Sequence, residues 1–174
     1  MNGRIMAGSI VITSLIAGVT MYYFQVYGFY DKVAYQPGDI RLTVLVTGAP
    51  EPMLVENFTG IDANSSPLRF RGCFTTPSSQ AMLTETYVTY PKATPLTAPD
   101  WFACFDAAAI GAALETGEAI AFLGQENIEY GVDRVIAVFG DGRAYAWHQL
   151  NNCGQRRYDG TDVGPACPAR EGGG

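Results

Sequence analysis

The chain has 174 residues, 48% hydrophobic and 16% charged, a composition that excludes an intrinsically disordered protein. Arg4 is the sole charged side chain before Asp31, so residues 31–174 hold 17 acidic and 10 basic residues, about −7. That balance argues against a nucleic-acid partner, whose phosphates select basic surfaces.

From Ile5 to Tyr30 the sequence runs 26 residues without a charge. As an α-helix this stretch reaches about 39 Å at ~1.5 Å per residue, more than the ~30 Å hydrocarbon core of a bilayer. A cleaved export signal has a shorter apolar core followed by small residues. Here the core runs instead into Tyr22, Tyr23, Phe24, Tyr27, Phe29 and Tyr30, amphipathic rings that suit the headgroup boundary. The sequence therefore predicts a retained single-pass transmembrane helix over residues 5–30, after a short cytoplasmic tail at 1–4. Arg4 on one flank and Asp31 on the other place the amino end in the cytoplasm and the remainder across the membrane. Small residues recur at helical spacing, Ser9, Thr13 and Ala17 on one ridge and Ser14 and Gly18 on the next, and predict helix–helix packing in lipid.

Residues 31–40 read as a linker, 41–168 as one exported domain, and 169–174 ("AREGGG") as a flexible tail. In the domain, "RLTVLV" (Arg41–Val46), "LRFRGCF" (Leu68–Phe74) and "TETYVTY" (Thr84–Tyr90) are short, β-prone runs bounded by turn residues. One helix is predicted over 107–115: Asp106 caps "AAAIGAALE", Ile110 and Leu114 share a face, and Gly117 supplies the stop. Its stripe is short, so it should lie on a sheet. Further on, "VDRVIAVFGDGRAYAWHQL" holds two β-rich runs around Asp141-Gly142, favoured residues for a tight hairpin turn. With those two residues as the turn, Ile136, Val138, Tyr145 and Trp147 share one face, and His148 opposes Val135 on the other. The fold class expected is α+β: an N-terminal transmembrane helix, then a small, mainly antiparallel β domain with one short packed helix.

Four cysteines, Cys73, Cys104, Cys153 and Cys167, all lie beyond the apolar segment. None forms a Cys-x-x-Cys pair and the chain has one histidine, which argues against structural zinc. An even count in an oxidising compartment favours two disulfides, and three pairings are possible. Cys153–Cys167 is favoured because it closes the polar "NNCGQRRYDGTDVGPACP" loop, leaving Cys73–Cys104 by elimination. Each contributes about 3 kcal/mol on the loop-entropy model.

Candidate chemistry is sparse. A Cys–His nucleophile pair needs a reduced thiol, which export disfavours, so His148 reads as a hydrogen-bonded core residue. The carboxylate pairs Glu126/Glu129 and Asp106/Glu115 read as loop charge and a helix cap, and "GQENIEYG" lacks the spacing of a calcium loop. "GDG" sits in a turn and is no dinucleotide fingerprint. No catalytic, metal or cofactor-binding residue is assigned, and the chain is expected to be non-enzymatic. Tyr145 and Trp147 are candidates for a contact patch or an aromatic ligand pocket.

The segments "GIDANSSPLRFRGCFTTP", "WFACFDAAAIG" and "YGVDRVIAVFGDGRAYAWHQLN", behind the short-tailed span, resemble a family of small uncharacterised bacterial membrane-anchored proteins over nearly the whole chain. The resemblance implies a bacterial inner membrane and a periplasmic domain, and carries no active-site residues. The function expected is an accessory subunit or assembly factor of a larger integral-membrane complex, with respiratory complexes as the analogy. A tethered periplasmic binding module for a small ligand is the alternative, and a Cys–His hydrolase the third reading.

Overall fold

The computed structural model describes residues 3–154 together with Tyr158, Gly160 and Cys167. The tail expected at 169–174 lies outside them. The chain separates into two units, Met1–Asp31 and Lys32–Gly174.

The first unit is a helix. α1 (Gly3–Tyr23) continues into one π-helical turn, Phe24–Gly28. Together they form a 26-residue segment long and apolar enough to cross a membrane, with no residue buried. The aromatic rim packs on itself: Tyr23 stacks on Tyr27 at 5.9 Å, and Phe24 meets Phe29 at 5.6 Å. Gly28 leaves space for the Phe24 ring, which a Cβ there would meet at 2.7 Å.

In the second unit six strands form one sheet in the order β1-β4-β5-β8-β7-β6: Asp31–Val33, Glu56–Asp62, Arg71–Thr75, Arg143–Leu150, Val132–Phe139 and Ala119–Glu129. A second sheet pairs β2 (Arg41–Thr43) with β3 (Pro50–Pro52). Helices α2 (Gln80–Thr86) and α3 (Ala107–Thr116) complete an α+β domain whose strand pairs β4–β5, β5–β8, β8–β7 and β7–β6 are antiparallel.

Both sheet faces are covered. On the first, Phe74, Phe122, Ile136 and Val138 pack against Ile40, Leu42, Met53 and Leu83. Each such side chain stabilises the fold by roughly 1.5–3 kcal/mol. Phe58 lies across this face over Gly60 and Gly72, where a Cβ would strike its ring at 2.6 and 3.0 Å. On the second face Phe139 and Tyr145 meet Ala113 and Leu114 of α3, and Trp147 lies under Phe105. Arg71 holds the 96–105 segment there: its Nε donates to the Leu96 carbonyl (2.8 Å) and its guanidinium lies over the Phe105 ring. The Cys73–Cys104 disulfide pins the same segment to β5, and Cys153–Cys167 is the second disulfide. Most of the loop the latter closes lies outside the described residues.

α3 matches the sequence expectation closely. Asp106 accepts from the Ala109 N–H at 3.0 Å, and Gly117 ends the helix at φ +78°. Four expectations are corrected. "TETYVTY" is not a strand: Ser79 caps α2 by accepting from the Met82 N–H, and Leu83 is buried, so Thr84–Thr86 are helical. Only Tyr87–Tyr90 are extended, bridging Thr43 and β6 through Val88 and Tyr90. "RLTVLV" stops as a strand at Thr43, because the chain reverses over 44–49 with Val44 and Ala49 hydrogen-bonded. The stretch read as a linker, 31–40, carries β1 and the buried Ile40.

The fourth correction is the hairpin register. Gly142 N–H donates to the Phe139 carbonyl at 3.1 Å and Gly142 takes φ +88°, so Gly140 and Asp141 are the central turn residues and Gly142 the left-handed residue after them. The loop is one residue longer than expected. Val135 now opposes Trp147, Ile136 opposes Ala146, and Arg134 opposes His148. A one-residue slip exchanges the faces. Tyr145 and Trp147 therefore share a face with Val135 and Phe139, and Ile136 and Val138 share the other with Ala144 and Ala146.

Candidate functional site

Correct register brings together the pair with the most chemical interest. Arg134 from β7 and His148 from β8 are cross-strand partners, and Arg134 Nε donates to His148 Nε2 at 3.0 Å. His148 Nδ1 lies 2.7 Å from the Pro67 carbonyl. With Nε2 accepting, the proton sits on Nδ1, which donates to Pro67; the ring is the neutral tautomer. It stacks on Phe70 at 4.8 Å, and the Arg134 guanidinium lies 4.4 Å from the same ring's centre. Arg134 Nη1 donates to the Asp39 carbonyl at 2.9 Å.

Arg134, His148 and Pro67 border a cleft of about 560 Å³ lined also by Asp62, Asn64, Ser66, Ile128 and Glu129. Burial raises the Asp62 pKa above the usual carboxylate range, opposed by the Ala63 N–H on Oδ1 and by the charges of Arg134 and Arg71. Burial lowers that of Arg134, against the pull of Asp62 and Asp39.

Burial, and then the charge of Arg134, push His148 down to about 4. The folded state thus binds fewer protons than the unfolded one between that value and the ordinary ~6.5. Stability from this residue is complete above pH ~6.5 and is lost as pH falls towards 4, by on the order of 3 kcal/mol. As the sole histidine, it gives one imidazole signal in an NMR titration. The expected midpoint is near 4 with the proton on Nδ1; an ordinary midpoint near 6.5 would contradict the buried, doubly bonded ring.

A second cleft, about 520 Å³, is bordered by Leu68, Tyr90, Lys92, Thr94 and Gln149. The fold uses its Gln149, Tyr90 and Asn151 side chains. Gln149 Oε1 accepts from Thr94 N–H and Trp147 Nε1, and its Nε2 donates to the Lys92 carbonyl. Tyr90 hydroxyl donates to Asp133 Oδ2, whose Oδ1 accepts from Asn127 N–H and Asn151 Nδ2. Burial and then Asp133 hold the Tyr90 phenol well above its usual range. Asn127, at φ +47°, turns its Oδ1 to the Gly131 N–H and Asn151 Nδ2, bracing the β6–β7 turn. This network is structural.

Other candidate residues fall elsewhere. Trp147 is fully buried, so it forms neither contact patch nor pocket wall; its indole is core because β8 is a central strand. Tyr145 is half-buried against Phe105 and Phe139. Cys73, Cys104, Cys153 and Cys167 are all in disulfides, which removes the thiol a Cys–His hydrolase needs. Ser14 donates to the Ile10 carbonyl, and a Cβ on Gly18 would meet nothing within 4 Å. Arg134 and Asp62 were missed by sequence reasoning; the signal was the adjacent charges Asp133 and Arg134 at the start of an otherwise apolar strand.

The class defined by these features is a disulfide-bonded α+β domain following an apolar helix of membrane-spanning length. The chain belongs to a family of unknown function (DUF6446), whose profile matches residues 40–168. No curated protein and no solved structure matches it.

Proposed function

We propose that the chain is a non-enzymatic accessory subunit or assembly factor of a larger integral-membrane complex. The apolar helix is retained as an anchor in a bacterial inner membrane, its amino end in the cytoplasm and the disulfide-bonded domain in the periplasm. One observation carries this reading: apolar surface stands uncovered on both units. α1 buries no residue, and on the domain Leu45, Val46 and Met82 are exposed, Val46 at 93%. The Leu45 N–H donates to the Thr86 carbonyl, which sets the β2–β3 tip beside α2. On α1 the hydroxyls of Ser9, Thr13 and Ser14 donate to carbonyls one turn back, so the small-residue ridges make no outward hydrogen-bond demand and suit close backbone packing.

The test is purification in mild detergent with identification of co-purifying proteins. A stoichiometric integral-membrane partner is expected, and S14L combined with G18L should lower its recovery by about tenfold through steric separation of the helices. A chain that purifies alone, or a partner indifferent to the double substitution, sinks the subunit reading. The alternative, a tethered ligand-binding module, draws on the Arg134 cleft.

A further inference from the structure

Arg134 has one donor nitrogen to spare. Its Nε and Nη1 are taken by His148 and by the Asp39 carbonyl, while Phe70 covers the guanidinium face. Among the described residues Nη2 has no hydrogen-bond partner, and Arg134 makes no ion pair. Every buried side-chain nitrogen and oxygen among the described residues has a partner, so Nη2 is open to solvent, at a side chain that borders the cleft. The charges of Asp62 and Asp39 offset part of the cost of burying this cation, but no carboxylate among the described residues lies at ion-pair distance.

The cleft walls hold two carboxylates, Asp62 and Glu129, neither paired with Arg134. Asp62 uses Oδ1 on the Ala63 N–H, which leaves Oδ2. Asn64 and Ser66 add an amide and a hydroxyl. A plain anion gains Arg134 but meets both carboxylates; a plain cation meets the reverse. A molecule carrying a carboxylate and an ammonium group close together satisfies both signs at once. The volume, about 560 Å³, falls in the roughly 300–1,000 Å³ range of small-molecule sites.

We propose that this cleft binds a small dipolar ion of the α-amino-acid class, with its carboxylate on Arg134 Nη2 and its ammonium on Asp62 and Glu129. The inference is independent of what, if anything, the anchor packs against. It is tested by calorimetric titration of the full chain in detergent with each of the twenty common amino acids, and with acetate, methylammonium and inorganic phosphate. At least one amino acid should bind saturably, one to one, and about tenfold more tightly than acetate or methylammonium, the increment of one added charge-assisted contact. Glu129 is exposed, so E129Q should keep the fold and weaken that amino acid by about tenfold. R134Q should abolish binding, and E129Q keeps the test decisive if R134Q does not fold. Binding by no amino acid, phosphate or acetate binding as tightly as the best one, or an E129Q variant of unchanged affinity would each overturn the proposal.

Discussion

Trp147→Ala should destabilise the domain by about 4 kcal/mol, the middle of the range for a large buried aromatic. The side chain is completely buried on the second face of the sheet, and β8 lies between β5 and β7. Three things depend on it. Phe105 meets the indole edge-on at 6.3 Å, so the 96–105 segment loses its seat. Its Nε1 donates to Gln149 Oε1, the acceptor that also holds Thr94. Its partners across the sheet, Val135 and Arg71, cannot close the void, because Val135 is fixed in a central strand and Arg71 by carbonyls of the 96–97 segment. Trp147→Phe keeps most of the apolar area and sacrifices one hydrogen bond; Gln149 Oε1 retains Thr94 N–H, so this change should cost only about 1–2 kcal/mol. Denaturant unfolding of the full chain in detergent, monitored by near-ultraviolet circular dichroism, separates the two. An alanine variant within about 1 kcal/mol of the parent, below the range for a buried aromatic, would show that Trp147 is not the centre of this face.

Much of this was legible locally. Asp106 and Gly117 bracket α3 because capping chemistry acts within a few residues, and the cysteine count with the polar loop between Cys153 and Cys167 pointed to both disulfides. What stayed hidden depends on tertiary contact. α2 forms because Leu83 finds the core and Ser79 caps it, whereas Thr84–Tyr90 taken alone favour a strand. The cleft was hidden by a single residue. With Asp141-Gly142 as a two-residue turn His148 faces Val135 and looks like one more core position. Adding Gly140 to the loop faces it with Arg134, and the basic residue of β7 acquires its partner. Turn residues announce that a hairpin exists; its loop length is decided by contacts such as the Gly142 carbonyl on the Thr76 N–H, which lie far off in sequence.

Removing the apolar helix is expected to have the largest effect on where the domain is found. Deleting residues 1–30 removes all of the uncovered 26-residue apolar helix and should move the domain wholly from the membrane pellet to the soluble fraction. The aromatic rim, Tyr22 to Tyr30, is the reason to expect that the cell leaves this helix in place, since bulky rings suit the bilayer boundary and disfavour cleavage. The most direct measurement is therefore the intact mass of the untagged chain recovered from membranes. The expected species retains the apolar helix, bears two disulfides and is released only by detergent. A mature chain beginning near Asp31 or Ala34, recovered without detergent, would contradict a retained anchor.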